Sequence, residues 1–372
     1  FGASLGDLRA LGLPATPVAS QLRPITTPLV MTGFTPEALN YLAPMFRAAG
    51  MVSVPGGALS RQTPPALLEP GDPIGVGLIQ GDLSMAGTGT VTHVDGRRVY
   101  AFGHQFYNLG PSQFPMTRAY VHTILPSQAI SSRITSIGET LGTIDQDRST
   151  GISGSFGPGP PLVPVYVELH SPGRNRVDSF NFSVVSDNVF TPFLSYNAIL
   201  NTLLSQTRQV GASSYSVQGR VQLSGLPVVT FHESFTGASA PLLAALYVSG
   251  PLTALLANGF EPVTVKRVDV SITAHDHIRT AALERVWLDD PRPRPGRPLP
   301  LRVATRTHRG DEVIRTVMID LPPSSTGRLQ LLVADGVTLA QQERQQAGRA
   351  ATATNLSQLV DAINDARRNN HL

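Results

Sequence analysis

The sequence predicts a mainly β fold, and its composition and patterning both indicate this. Charged residues make up only 15% of the 372 residues, while the chain contains 34 glycines and 31 prolines. Such a composition is typical of short strands joined by tight turns. Residues 71–170 follow strand patterning almost throughout, and short strands recur at regular spacing from residue 262 to 334. We therefore expect sheets to form the frame of the molecule, with helices inserted between them.

The N-terminal part predicts one strand and one helix. Residues 25–31 have strand character, and Pro28 favours an edge position because proline cannot donate to a sheet ladder. Thr35 is a good N-cap, Pro36 suits the first helical position, and Gly50 suits the end of the helix. The apolar spacing between them predicts a short amphipathic helix that packs on the core.

A histidine-bearing hairpin dominates the predicted β core. Residues 89–94 alternate as a strand, Asp95-Gly96 favours a type I′ turn, and residues 97–102 form the return strand. The return strand ends at Gly103-His104. An imidazole at this point can transfer protons near neutral pH. The alternative is a histidine that merely caps the strand or lies at the edge of the core.

The remaining elements of the first two thirds follow from periodicity and turn signals. Gly residues in the strand 74–79 indicate close backbone approach, and Pro164 favours an edge position for the strand 162–169. We expect helices over 191–211 and 241–258, the second one kinked or split at Gly250-Pro251. The other predicted strands are 120–125, 130–137, 180–185, 216–223 and 228–235.

The last third predicts a separate small domain. Regular short strands favour an Ig-like sandwich, and residues 355–364 have the apolar spacing of a docking C-terminal helix. The strands expected in the sandwich are 263–272, 280–288, 299–305, 313–321 and 329–333. The predicted organisation is an N-terminal segment (1–59), a β core with helical insertions (60–260), the sandwich (261–335) and a C-terminal helical segment (336–372).

Composition also excludes several functional classes. The formal net charge is only +3 and the basic residues are scattered, so we expect no nucleic-acid partner. The chain has no cysteine, which excludes disulfides, zinc-thiolate sites and cysteine nucleophiles. The sequence contains no run of 18 apolar residues, so it predicts no transmembrane segment. Low charge, abundant Gly and Pro, and the lack of Cys favour an extracytoplasmic bacterial protein: periplasmic, secreted or at the cell surface.

Several short motifs in fixed order resemble those of the SpoIVB peptidase family, in its long secreted form. They are Gly81-Asp82, Ala101-Phe-Gly-His104, Leu109-Gly-Pro111, Phe114-Pro-Met116 and Leu141-Gly-Thr-Ile-Asp-Gln-Asp-Arg148. The resemblance implies a chymotrypsin-like β-barrel core, over about residues 60–235, and a serine endopeptidase acting on a protein or peptide substrate without a cofactor. It also implies that His104 is the catalytic base.

The nucleophilic serine is less clear. Ser153 lies in Gly151-Ile-Ser-Gly-Ser-Phe-Gly157, which resembles the family's Gly-x-Ser-Gly-Ser-Pro word. Phe156 replaces the proline, however, and the family has a different glycine-rich turn at this point. Either the serine lies upstream of Phe1, in an N-terminal part of the precursor that could remain a partner, or the chain is an inactive relative that serves as a surface or assembly protein.

Two acidic residues and one histidine pair complete the candidates. Asp145 or Asp147 could orient His104, or each could be a turn acid paired with Arg148. His275 and His277 share one face of a predicted strand, which is a usable spacing for two metal ligands. No third ligand is evident, so we expect a solvated strand end and no metal.

Overall fold

The computed structural model describes residues 26–57, 68–125, 132–206, 213–290, 292–347 and 353–370. Its strands are β1 Thr27–Thr32, β2 Met51–Pro55, β3 Pro73–Gly81, β4 Ser84–Asp95, β5 Arg98–Ala101, β6 Gly110–Leu125, β7 Ser132–Arg148, β8 Gly151–Phe156, β9 Leu162–Ser171, β10 Arg176–Val185, β11 Ser213–Leu223, β12 Val229–Gly237, β13 Val265–His275, β14 Ala281–Leu288, β15 Pro298–Thr307 and β16 Glu312–Asp320. Its helices are α1 Pro36–Ala48, α2 Phe190–Gln206, α3 Ala240–Leu256, α4 Gly336–Ala347 and α5 Leu356–Asn364. The fold is mainly β, as predicted.

One 13-stranded sheet contains a closed ring of strands. The sheet runs in the order β12-β11-β13-β9-β10-β3-β6-β7-β8-β5-β4-β1-β2, and β3 also pairs with β4. The antiparallel pairs β3–β4, β4–β5, β5–β8, β8–β7, β7–β6 and β6–β3 therefore form a complete circuit. Within it β3, β4 and β5 are consecutive and β6 returns beside β3, which is Greek-key order. The β5–β6 connection, residues 102–109, crosses one end of this ring.

Strand β3 links the ring to the other half of the sheet. Its first half pairs with β6, while its last residues, from Ile79 to Gly81, pair with β10. Beyond β10 the sheet continues through β9, β13, β11 and β12, and helices α2 and α3 pack against it. Glycine in β3 permits close approach of the neighbouring strand, as predicted: a Cβ on Gly75 would lie 2.4 Å from the Thr117 hydroxyl.

Helix α1 follows its local signals closely. The Thr35 hydroxyl accepts a hydrogen bond from the Ala38 N–H at 3.2 Å, and Pro36 begins the helix.

The two predictions of edge strands, which rested on Pro28 and Pro164, are wrong. Strand β1 lies between β2 and β4, and β9 lies between β10 and β13. Pairing with β4 begins after Pro28 and pairing with β13 begins after Pro164, so neither proline interrupts these ladders.

The β4–β5 hairpin forms as predicted, but its turn lies one residue further on. Asp95 pairs with Arg98, so the central residues are Gly96 and Arg97. Gly96 has φ +55°, whereas Arg97 is not among the residues with positive φ. A positive φ at the first central residue alone is the pattern of a type II′ turn, in place of type I′.

The Ig-like sandwich is not confirmed. Strand β13 pairs with β9 and β11 in the main sheet, so only β14, β15 and β16 form the second sheet. Residues 329–333 carry no strand. Val265–His275 is recruited by the main sheet because its alternate side chains, such as Val268 and Ile272, are fully buried there.

The helices of the second half agree with their predicted places. Helix α3 continues through Pro251 as one assigned helix, so the alternative of two short helices is not observed. Helix α5 docks through Leu356 and Val360, both buried, and the Asn355 side chain caps its N-terminus. Among the described residues, the helices are too short or too polar to cross a membrane.

Candidate active site

His104 lies on the loop that crosses the end of the ring, and the residue before its glycine is strained. Phe102 has φ +76°, a left-handed conformation that bulky residues rarely adopt. Its N–H donates to the Thr90 carbonyl at 2.9 Å, and its ring lies over Gly89, where a Cβ would be 2.2 Å from it. Strain of this kind persists only where the surroundings enforce it, and it concentrates at functional sites.

The His104 imidazole is held in one tautomer. Its Nδ1 lies 2.8 Å from the Gln105 carbonyl oxygen, and the ring is half-buried. A carbonyl oxygen only accepts, so Nδ1 carries the proton in this contact and Nε2 of the neutral ring keeps its lone pair. Within the described part of the chain, Nε2 makes no hydrogen bond. The ring of Phe102 packs beside the imidazole, with the centroids 5.6 Å apart.

Asp147 supports the loop, and its hydrogen bonds do not include the imidazole. Its carboxylate is 1% exposed and accepts from three backbone N–H groups: Phe106 at 2.8 Å, Tyr107 at 2.7 Å and Leu109 at 3.2 Å. Because these donors follow His104 directly, the carboxylate fixes the backbone that presents the histidine. The direct contact that we expected Asp147 to make with His104 is not observed; the Gln105 carbonyl contacts the imidazole instead.

A β-bulge explains how Asp147 reaches this position. The register between β7 and β8 shifts between Ile144 and Gln146, which leaves Asp145 as the extra residue. Ile144 is buried, Asp145 and Gln146 are half-buried, and Asp147 is buried again. Without the bulge, alternation would turn Asp147 to the outer side of the strand.

Ser153 lies with Asp145 and Arg98, apart from the histidine's contacts. Its hydroxyl is 3.5 Å from the Asp145 carboxylate and 3.4 Å from the Arg98 guanidinium, while Arg98 and Asp145 form a salt bridge at 3.2 Å. These hydrogen bonds are long, and the described residues show none between Ser153 and His104. The arrangement matches a polar cluster at a sheet surface.

An aromatic cluster that the sequence analysis did not identify packs beneath the histidine loop. Phe106 and Tyr107 stack edge to face at 4.8 Å, and Tyr107 meets Phe190 of α2 at 4.9 Å. Phe114 completes the cluster, 5.6 Å from Phe190. Burial raises the pKa of Tyr107 to about 12, which keeps it neutral. The only sequence signal was the spacing of the aromatic residues around Gly110.

Two serine–histidine hydrogen bonds occur elsewhere in the described residues. Ser136 and His122 lie 2.9 Å apart, but Ser136 is 1% exposed and its hydroxyl is closed to a substrate. Ser216 and His232 lie 3.1 Å apart on the outer face of β11 and β12.

The His275–His277 pair lies beside an arginine. Arg279 lies 2.6 Å from the His275 Nε2, the atom that would bind a metal. Burial, with the charges of Arg279 and His277, lowers the pKa of His275. The described residues contain no group of three His, Asp or Glu side chains placed to hold a metal ion.

Comparison with protein-family models, with curated proteins and with solved structures finds no match for this chain.

Proposed function

We propose that this chain carries the general base of an extracytoplasmic serine endopeptidase of the SpoIVB type. His104 is the base, and the nucleophilic serine lies upstream of Phe1 in the precursor. The observation that carries the proposal is the hydrogen bonding of the imidazole: Nδ1–H donates to the Gln105 carbonyl, and no hydrogen bond to Nε2 comes from the residues that the structure describes. A base needs that tautomer to accept a hydroxyl proton.

The surrounding fold supports the same role. A closed ring of six antiparallel strands in Greek-key order is what a chymotrypsin-like barrel requires, and the histidine lies on its crossover loop. Hydrogen bonds to Asp147 and packing of the aromatic cluster fix the conformation of the loop. A base held in this way loses little entropy when substrate arrives.

The proposed step is transfer of an acyl group from the substrate to the serine. The serine hydroxyl attacks the scissile carbonyl while Nε2 of His104 takes its proton, and the imidazolium then protonates the leaving amine. The Gln105 carbonyl accepts from Nδ1–H throughout, in the position that a carboxylate holds in a full triad. A neutral carbonyl stabilises the imidazolium less than a carboxylate does, so we expect slow turnover, suited to self-processing or to a single substrate.

A specific observation favours a second candidate, a non-catalytic binding or assembly protein on a peptidase scaffold. Asp147 is the buried carboxylate at the histidine loop. Both of its oxygens already accept hydrogen bonds from backbone N–H groups. A histidine that contacts no carboxylate of the described segments fits a scaffold that has lost activity. Fold alone does not decide between the two.

Activity of the full precursor distinguishes them. We expect His104→Ala to lower peptidase activity or self-processing by about three orders of magnitude or more, as loss of a triad member does. Ser153→Ala should keep activity. His93→Ala is the matched control, since His93 is an exposed histidine on the same hairpin. Equal activity in all three variants would show that His104 is not the base, and absence of activity in the unmutated precursor would favour the scaffold function.

A further inference from the structure

Two connectors of the second sheet meet at one of its ends. Residues 289–297 join β14 to β15, and residues 321–328 follow β16, so both lie at the end opposite the β15–β16 turn. The Gly296 N–H donates to the Leu321 carbonyl at 2.9 Å. A Cβ on Gly296 would lie 3.5 Å from the Pro323 ring. The two connectors therefore form one surface, which we call the connector surface.

A tight turn brings two arginines of this surface together. The Arg297 N–H donates to the Arg294 carbonyl at 3.3 Å, and Gly296 has φ +75°. With Pro295 at the second position, this is the pattern of a type II turn, whose first and last Cα atoms lie within about 7 Å of each other. Both arginines are exposed. Two guanidinium groups therefore extend into solvent from neighbouring backbone positions.

The positive charge of the connector surface is only partly neutralised. Arg292 and Arg328 are also exposed, and none of these four arginines forms an ion pair within the described residues. Of the three aspartates at this end, Asp289 is already paired with an arginine of β15 at 2.8 Å. Asp290 and Asp320 remain, so the surface has an excess of two positive charges. Such an excess favours an anionic ligand.

The surrounding segment has the same bias. Residues 279–328 contain ten arginines and six acidic residues, which is a net charge of +4, whereas the whole chain carries +3. The positive charge of the chain is thus concentrated in this segment and is less scattered than we expected from the sequence.

Exposed leucines follow the last of these arginines directly. Leu329, Leu331 and Leu332 are 58%, 53% and 46% exposed, in a stretch without regular structure. Arg328 lies five residues beyond Pro323, so the chain keeps it within about 18 Å of the first connector. Single exposed apolar side chains are common, but three in four positions form a patch that gains from leaving water. An apolar patch therefore borders the cationic one.

The combination of arginine and leucine selects the ligand. A guanidinium forms paired hydrogen bonds with phosphate, and leucine is stabilised in hydrocarbon. A soluble polyanion would use the arginines alone, and an apolar protein surface would leave their charge unbalanced. A layer of anionic phospholipid presents phosphate at its surface and hydrocarbon directly beneath it, which matches both patches.

We propose that the connector surface binds membranes rich in anionic phospholipid, with Arg294 and Arg297 on the headgroup phosphates and the three leucines in the outer part of the hydrocarbon. The protein is then held at the membrane surface by charge and by shallow insertion together. The inference does not depend on His104 and holds for an active or an inactive chain.

Co-sedimentation with lipid vesicles tests the proposal. We expect saturable binding to vesicles of phosphatidylglycerol and phosphatidylcholine in equal amounts, and binding about tenfold weaker or less to phosphatidylcholine alone. Added salt should weaken the binding, because exposed charges are screened. Excess glycerol phosphate at constant ionic strength should not displace the chain, since it offers phosphate without hydrocarbon. Displacement would show a site for phosphate alone and would overturn the proposal.

Two double variants, checked for folding by circular dichroism, separate the two patches. Arg294→Gln with Arg297→Gln should weaken binding to the mixed vesicles about tenfold or more, because each arginine near an anionic surface contributes about fivefold in affinity. Leu331→Ser with Leu332→Ser should weaken it about tenfold at unchanged charge. Arg309→Gln is the control, since Arg309 is exposed on the β15–β16 turn, at the opposite end of the sheet.

Two results would contradict the membrane assignment. One is absence of binding to the mixed vesicles, or an equal loss of binding in Arg309→Gln. The other is a dimer in sedimentation equilibrium without lipid that the change of Leu331 and Leu332 dissociates, because the apolar patch would then be covered by a second copy of the chain.

Discussion

Replacement of Asp147 by asparagine tests how the histidine loop is held. The carboxylate accepts three backbone N–H groups while almost fully buried. The asparagine amide has only one acceptor oxygen. If that oxygen accepts from Tyr107 and Leu109, the amide NH₂ group takes the place of the other oxygen. The hydrogen bond from the Phe106 N–H is then lost, and two N–H groups face each other. The two remaining bonds become neutral.

The magnitude follows from these changes. A hydrogen bond to a charged group contributes about 1.5–3 kcal/mol, and a neutral one roughly half of that. Losing one bond and weakening two gives an expected loss of roughly 3–6 kcal/mol in the free energy of unfolding. Activity of the precursor should fall as well, because the loop that presents His104 is no longer fixed.

Urea unfolding followed by circular dichroism measures the effect. The one tryptophan, Trp287, lies in the small sheet and would report on a different region. Asp145→Asn is the matched control: its side chain is 37% exposed and its salt bridge with Arg98 is a surface pair, worth less than about 1 kcal/mol. If Asp147→Asn is no more destabilising than Asp145→Asn, the carboxylate does not anchor the loop.

Three further predictions concern single residues. Gly89→Ala should destabilise the chain by about 1–3 kcal/mol, because its Cβ would lie 2.2 Å from the Phe102 ring; an unchanged urea midpoint would contradict this packing. Gly250→Ala should gain less than the roughly 0.5–1 kcal/mol usual for a glycine within a helix, because the added Cβ is crowded by the ring of Pro251, the next residue of α3; a full gain would contradict this crowding. Burial raises the pKa of Glu233 against its hydrogen bonds from Asn369 and Ser234, so the folded chain binds this proton more tightly than the unfolded chain. The stability that this proton contributes is present at low pH and lost as pH rises through the folded value. Glu233→Gln should therefore flatten the fall of Tm between pH 4 and pH 7, and a parallel Tm profile would refute the sign.

Local features of the fold could be predicted from the sequence. Helix α1 follows from its Thr35 cap and Gly50, and the β4–β5 hairpin follows from Asp95-Gly96, because a few neighbouring residues determine each. The exact turn was wrong by one residue, since the register of the flanking strands decides which residues are central.

Long-range pairing could not be predicted. Closure of the ring depends on β3 meeting β6 and β5 meeting β8, and no local pattern encodes either contact. Both β13 and β14 were predicted as strands of the sandwich, yet only β13 joins the main sheet.

The candidate site could be predicted only in part. The position of His104 at a strand end follows from its hairpin. The contacts of Asp147 depend on a bulge at Asp145, which shifts alternation by one residue and has no sequence signature. The Gln105 carbonyl, which fixes the tautomer, is a backbone atom and leaves no trace in the pattern of side chains.

Labelling of the full precursor with a fluorophosphonate tests the central claim most directly, because the reagent bonds covalently to a serine that a base has activated. Peptide mapping then identifies the serine. We expect one labelled serine upstream of Phe1, with labelling kept in Ser153→Ala and lost in His104→Ala. Labelling of Ser153 itself, or labelling that persists in His104→Ala, would contradict the role of His104 as the base for an upstream serine.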